Sequence, residues 1–260
     1  SHQEVIERLC DFAIIYREKQ DLSKAKEVAD VARQMAETST DEWHLTRAKA
    51  ANYSAKVYLR YAEMTDCPGQ KKDLLNDSLK LHAEALKIYE KVLGRNHIYV
   101  AGVCMTYAIV YKKLTEYNPG LKLVERAEKI YQDVEHVVLS SALCYKTEVL
   151  LALGEASNAE KAIKRSIKIE NCVRARFLLS DVYLQQRRYR ESRAIVQEVL
   201  ARWSSGILPP THFWVKHAEK IKQRCNREIF KETLINFICR LLRIVVFVIP
   251  ILLGIWFAAK

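Results

Sequence analysis

Apolar positions along this chain recur every three or four residues, the spacing that lines one face of an α-helix. From 1 to 37 two such stretches flank a polar break at Lys19–Ser23. Leu9, Phe12, Ala13 and Tyr16 mark one face of the first, and Ala25, Ala29 and Ala32 one face of the second. Thr38–Asp41 supplies turn and cap residues before a helix predicted over about 42–63. Cys67-Pro68-Gly69 then breaks the chain, and a further helix is expected from about Lys72 to Leu93. The pattern is clearest over Ser78–Tyr131, where LHAEALKIYEKVLG and GLKLVERAEKIY flank VAGVCMTYAIVYKKL. The outer two align with an offset of 42 residues, so that Ser78 falls on Gly120, His82 on Val124 and Ala85 on Ala127. A self-match at such a period points to stacked helical hairpins, because one hairpin cannot bury its apolar face alone.

Turns are expected at Gly94-Arg95-Asn96-His97 and Asn118-Pro119-Gly120. Two further pairs follow: Val137–Leu153 with Asn158–Ile169, split at Gly154–Ser157, and Cys172–Gln185 with Glu191–Trp203, split at Arg187-Arg188-Tyr189-Arg190. A small or medium residue recurs inside each second helix, at Ala25, Ser78, Gly120, Ala159 and Ser192. The expected fold is all-α, an α-solenoid of about five helix-turn-helix units over 1–203.

These units resemble tetratricopeptide repeats, and the third is most similar to the long repeats of kinesin light chains. The resemblance rests on Ala85-Leu86-Lys87-Ile88-Tyr89-Glu90-Lys91-Val92-Leu93-Gly94, then Asn96-His97, Val100-Ala101, Tyr107-Ala108 and Tyr111. Family members often place Pro after that His, where this chain has Ile98, and an Asn pair where it has Met105-Thr106. Thr147 and Ser180 occupy the small-residue position of the outer repeats. The resemblance spans roughly Ile6 to Trp203 and implies a binding scaffold, with the first helix of each pair lining a concave groove.

Composition agrees with helices: seven Gly and five Pro in 260 residues, half of them hydrophobic. The chain opens on Ser1, as a fragment or processed form would, and no early apolar run resembles a signal peptide. Seven cysteines without a CxxC pair read as reduced thiols of a cytosolic domain. The net charge of +11 is uneven. Residues 161–260 hold 20 Lys/Arg against 7 Asp/Glu, whereas residues 1–160 hold 22 against 24. The basic half suits an anionic surface.

Ser204–Pro210 ends the repeats, since tandem prolines cannot continue a helix, and 204–211 reads as a linker. A basic helix over 212–240 carries Lys216, Lys220, Lys222, Arg224, Arg227, Lys231 and Arg240. Arg243 follows, and then sixteen residues, Ile244–Ala259, without a charge. Sixteen helical residues span about 24 Å against a hydrocarbon core of about 30 Å. Leu241 and Leu242 extend the run, and Arg240 and Arg243 have stems long enough to snorkel. Residues 241–259 are therefore expected to form a single transmembrane tail anchor, with the repeats facing the cytosol. The short span and basic flanks favour the mitochondrial outer membrane slightly over the endoplasmic reticulum. Cys239 reads first as an ordinary apolar cysteine, with palmitoylation as the alternative.

Helical spacing marks Asn52, Lys56 and Arg60 as groove candidates in the second unit. Met105, Ile109, Lys112 and Lys113 are their counterparts in the third, with Arg174, Phe177 and Asp181 in the fifth. Cations beside apolar residues suit an extended or helical protein segment carrying acidic groups. Seven scattered histidines, with no HExxH, GxxxxGK[ST] or GxGxxG, argue against catalysis, cofactor, metal or small-molecule substrate. The alternative reading is an RNA-associated membrane factor, from Arg187, Arg188, Arg190 and Arg193 around Tyr189. A membrane-held scaffold accounts for the same cations through anionic headgroups, and nucleic acid is the less favoured partner.

Overall fold

The computed structural model describes residues 2–39, 44–203 and 212–243. Among them are eleven helices and no strand. They are α1 (His2–Glu18), α2 (Leu22–Ser39), α3 (Leu45–Met64), α4 (Pro68–Leu93), α5 (Ile98–Lys113), α6 (Tyr117–Asp133), α7 (Leu139–Ala152), α8 (Ala156–Ile169), α9 (Val173–Gln185), α10 (Tyr189–Arg202) and α11 (Phe213–Arg243). The chain divides into two compact units, residues 1–155 and 156–260.

In the first unit consecutive helices pack on one another from α1 to α7, and α1 and α5 also reach α3. Small side chains let them approach. Ala13, Ala25, Ala29, Ala55, Ala62, Ala85, Ala108 and Ala127 are all buried. The recurring small residue of the second helices meets the backbone of the first. Ser78 Oγ donates to the Ala55 carbonyl at 2.8 Å. A Cβ on Gly120 would stand 3.4 Å from the Ala108 carbonyl and from Tyr111 Cβ. In the second unit Ser192 Oγ donates to the Ser180 carbonyl at 2.8 Å. Twelve residues separate Ala13 from Ala25, Ala108 from Gly120, Thr147 from Ala159 and Ser180 from Ser192, but 23 separate Ala55 from Ser78. The extra eleven are close to three helical turns, so α3 and α4 lengthen without changing which faces meet.

One turn type ends α1, α5, α7 and α9. Gln20, Thr115, Gly154 and Arg187 have φ of 63°, 62°, 81° and 61°. Each stands five residues before the small residue of the next helix. The Gln20 amide donates to the Arg17 carbonyl at 3.1 Å and the Asp21 amide to the Tyr16 carbonyl at 3.0 Å; the other three repeat this pattern. This left-handed Schellman cap satisfies carbonyls that the helix end leaves open.

Several expectations are corrected. Asn118-Pro119-Gly120 is not a break but lies in the first turn of α6, where a proline removes an amide that has no helical partner anyway. The break falls at 114–116. Pro68 likewise opens α4 rather than preceding it. Phe12 points outward, 53% exposed, and Ile6, Cys10 and Ala13 carry the buried face of α1. Thr38 belongs to α2, and His44 caps α3 by accepting from the Thr46 amide. Residues 40–43 lie outside the described residues, as do the linker at 204–211 and positions 244–259 of the expected span. Leu241–Arg243 complete α11, and no helix among the described residues is long and apolar enough to cross a membrane.

In the second unit α8 packs on α9, α9 on α10, and α11 on both α9 and α10. Phe177 is the pivot, 1% exposed. Its ring centroid lies 5.5 Å from Trp203, 5.5 Å from Trp214 and 5.4 Å from His217. Phe177 is therefore a core residue, not part of an exposed groove line.

Candidate binding cleft in the first unit

A cleft of about 570 Å³ opens between α1, α3 and α5, lined by Arg17, Glu18, Gln20, Lys56, Leu59, Arg60, Glu63 and Thr106. Most of its charges are paired. Arg17 meets Glu18 at 2.6 Å, and Glu63 receives Arg60 at 3.1 Å and Lys113 at 2.8 Å. Burial alone would raise the Glu63 carboxyl, but Lys113 and Arg60 outweigh it and hold the acid below its usual range.

Lys56 differs. Its ammonium sits 5.3 Å from the Tyr53 ring and meets no carboxylate among the described residues. Burial, with the like charge of Arg17 nearby, pushes its pKa down. One turn earlier on the same face of α3, the buried Asn52 Oδ1 has no hydrogen-bond donor. An unpaired cation and an unfilled acceptor thus lie four residues apart on one helix.

Behind the cleft a chain of hydrogen bonds joins three helices. His82 Nδ1 lies 2.8 Å from the Ser78 carbonyl, which can only accept, so Nδ1 carries the proton. Nε2 then accepts from Thr106 Oγ1 at 2.9 Å. The imidazole stacks on Tyr107 at 5.6 Å, with the planes 7° apart. Burial drives its pKa down to about 4, against a raising bond from Ser78, and Lys56 lowers it further. His82 is neutral at pH 7 and sets the Thr106 hydroxyl at the cleft wall.

Of the other groove candidates, Met105 and Ile109 pack against buried apolar side chains and are half-buried. Lys112 is bound by Glu148 and lies 4.9 Å from the Tyr145 ring. Lys112, Lys113 and Arg60 are thus ion-paired cations rather than free groove charges. Arg174 is exposed in the second unit, and Asp181 faces His217 Nε2 at 3.6 Å. That contact holds the His217 pKa above its ordinary value. Asn52 is not among the residues that line the cleft; the structure brings Lys56 and Arg60 together with Arg17, Gln20 and Thr106, which sequence reasoning missed. Their only local signal is a position at or after the end of α1, or one turn before Ile109 on α5.

The basic turn of the second unit is partly committed as well. Arg188 binds Glu160 at 3.1 Å and also Glu191, and it lies 3.9 Å over the Tyr183 ring. Lys164, Gln186 and Arg188 converge on Glu160 and hold its carboxyl down at about 2. Along α11, Lys222 meets Glu219 at 3.5 Å, and Glu228 receives Arg227 at 3.4 Å and Lys231 at 2.9 Å. Lys216, Lys220, Arg224, Arg240 and Arg243 are exposed. Arg187, Arg224 and Arg227 edge a second cleft, of about 760 Å³, with Asp181, Tyr189 and Glu228.

Comparison with known proteins agrees with this architecture. A tetratricopeptide repeat model matches residues 70–99, which cover most of α4 and the turn into α5. No curated protein matches the chain. A Podosopora anserina putative kinesin light chain with nearly identical TPR-like repeats superposes with a TM-score of 0.68 at 14% identity, over 79% of this chain and 97% of that one. BtubC (BKLC) from P. vanneervenii gives 0.60 at 15% identity, over 81% and 85%. Pseudomonas aeruginosa pilF gives 0.58 at 15%, over 100% and 99%. At these identities the likeness is one of fold: the chain carries helical repeats of tetratricopeptide type.

Proposed function

We propose that this protein is a non-catalytic scaffold that holds a segment of a partner protein in the cleft between α1, α3 and α5. An acidic group of that segment meets Lys56. The reading rests on Lys56, a cation in this cleft that meets neither of the cleft's carboxylates, Glu18 and Glu63. A carboxylate entering there would stabilise the charge that burial disfavours, and a charge-assisted hydrogen bond contributes about 1.5–3 kcal/mol. Repeat folds commonly serve protein binding through such concave surfaces. Within this reading the 1–203 repeats face the cytosol, and the chain beyond them, through 241–259, fixes the complex to an organelle membrane.

The test uses the full chain and two fluorescent decapeptide pools, identical except that fixed glutamates in one are glutamines in the other. Fluorescence polarisation should show the glutamate pool binding more tightly, with Lys56→Ala weakening it about tenfold or more. Lys113→Ala would break the pair with Glu63 and act less. Equal binding of both pools, or indifference to Lys56→Ala, would overturn the proposal.

A further inference from the structure

The face of α11 turned away from its own unit carries one continuous row, and the row changes character along its length. Trp214, Ala218, Ile221 and Cys225 form the docked side, spaced by four, three and four; the last three are buried, beside Phe177, Val196 and Val199. Lys216, Lys220, Arg224, Arg227 and Lys231 are spaced by four, four, three and four. Lys216 stands two residues from Trp214, Lys220 two from Ala218 and Arg227 two from Cys225. Two residues turn an α-helix by about 200°, so Lys216, Lys220 and Arg227 lie across from the docked residues, whereas Arg224 sits on the flank, and Arg224 and Arg227 reach the edge of the cleft that holds Asp181 and Tyr189. The same row then runs on through Leu234, Ile238 and Leu241, each 45% exposed, flanked by Phe230 at 67% and Phe237 at 58%. The far side of that stretch holds Glu232, Asn236, Arg240 and Arg243.

We infer that this row is a bilayer contact lying along the membrane plane. Its cationic half would sit on anionic headgroups and its apolar half in the acyl boundary below them. The inference rests on the membrane reading above and adds where and how the described part of the chain touches lipid. Three observations choose a bilayer over another occupant. The apolar stretch from Phe230 to Leu242 covers well over 100° of the helix, broader than the narrow seam through which two helices pair. Five cations of the row face one acid, Glu228, which Arg227 and Lys231 share, while Lys216, Lys220 and Arg224 meet no carboxylate among the described residues. A second copy would set like charge against like charge, whereas phosphatidylserine supplies the opposite sign. Beyond Arg243 the sequence continues with sixteen uncharged residues, Ile244–Ala259. A broad apolar stripe with cations and aromatic residues is the composition of a helix lying in the interface rather than crossing it.

The full chain, with Cys67 and Cys239 replaced by serine, would carry a nitroxide in turn at Leu234, Ile238, Leu241, Asn236 and Arg240. It is mixed with phosphatidylcholine vesicles with and without phosphatidylserine. On bound protein, Leu234, Ile238 and Leu241 should be open to oxygen and closed to a water-soluble nickel chelate, and Asn236 and Arg240 the reverse. Lys216→Glu with Lys220→Glu should reduce binding to serine-containing vesicles by about fivefold or more per charge. Bound protein whose row positions stay open to the chelate overturns this inference and leaves the anchor standing. Oxygen access on both sides, as for a spanning helix, overturns it too. Shielding of the row without vesicles, in a particle of twice the mass, assigns the face to a second copy. Absence of vesicle binding removes this inference and the membrane reading together.

Discussion

The two units solve the same packing problem with different side chains. Residues 1–155 bring helices together through alanines, through Ser78, whose hydroxyl donates to the Ala55 carbonyl, and through Gly120, where a Cβ would stand 3.4 Å from the Ala108 carbonyl. Residues 156–243 close around one large ring: Phe177 sits among Trp203, Trp214 and His217, and α11 docks there. Interlocking small residues spread the contact over many positions, none of them decisive. A single aromatic wedge concentrates it. The contrast follows from what each unit must hold. Every helix from α2 to α6 has repeat neighbours before and after it, whereas the apolar side of α11 packs, among the described residues, on α9 and α10.

The largest test of this contrast is Phe177→Ala. Removing a ring buried to 1% exposure costs about 3–5 kcal/mol, as a transfer loss plus a cavity. It should act on the second unit alone. Hydrogen exchange of α9–α11 should accelerate while α2–α6 keep their protection. Equal loosening of both units would mean that Phe177 is not a local wedge.

Acid sharpens the comparison, because the two units carry histidines shifted in opposite directions. His82 in the first has its pKa depressed by burial to about 4, from an ordinary 6.5. The unfolded chain therefore binds a proton at higher pH than the folded one. Stability is full above pH 6.5 and falls as pH drops toward 4, by on the order of 3 kcal/mol. His217 in the second is raised by its bond to Asp181 and lowered by Lys220, with the first effect the larger. Its contribution is present below 6.5 and lost as pH rises through the folded value. Urea titrations across this range, followed by exchange in each unit, should show the first unit weakening in acid and His82→Gln flattening that response. A pH-independent first unit would show that the imidazole keeps its proton when buried.

How much of this was legible in the sequence depends on the range over which each feature is encoded. Helical periodicity is local, so the hairpins and their small residues at Ala25, Ser78, Gly120, Ala159 and Ser192 could be found without a structure. Ion pairs are not local. Lys112 finds Glu148 and Lys113 finds Glu63, 36 and 50 positions away, so nothing nearby distinguishes these paired lysines from the unpaired Lys56. Phe177 fell on an apolar line that looked exposed, because its cover comes from Trp203 and from Trp214 in the following helix. That cover was readable, since Trp214, Ala218, Ile221 and Cys225 keep helical spacing. Interleaved lysines and arginines drew attention to the other side of α11. The Asn118-Pro119-Gly120 triplet looks like punctuation, yet the turn lies at Thr115, where no glycine announces it.

Those hidden turns supply the smallest and most even-handed test, one position in each unit. Thr115 and Arg187 hold φ near 60°, a region that crowds Cβ against the following carbonyl and costs a side chain roughly 1–2 kcal/mol. Glycine removes that crowding but adds freedom to the unfolded chain, worth about 0.5–1 kcal/mol in the other direction. Thr115→Gly and Arg187→Gly should therefore raise stability by a net of about 0.5–1 kcal/mol each, read as an upward shift in denaturation midpoint at constant slope. Gly154 is the natural control, with φ of 81° and nothing within 4 Å of where its Cβ would stand. Gly154→Ala meets no steric neighbour, so any loss it shows is backbone strain less the freedom that alanine removes from the unfolded chain, a net of about 0.5–1 kcal/mol. If the two gains and the one loss share a magnitude, the four caps are one device, used alike by the small-residue unit and the aromatic one. If Arg187→Gly fails to stabilise while Thr115→Gly succeeds, the cation at the α9–α10 turn contributes to the second unit in a way its geometry does not show.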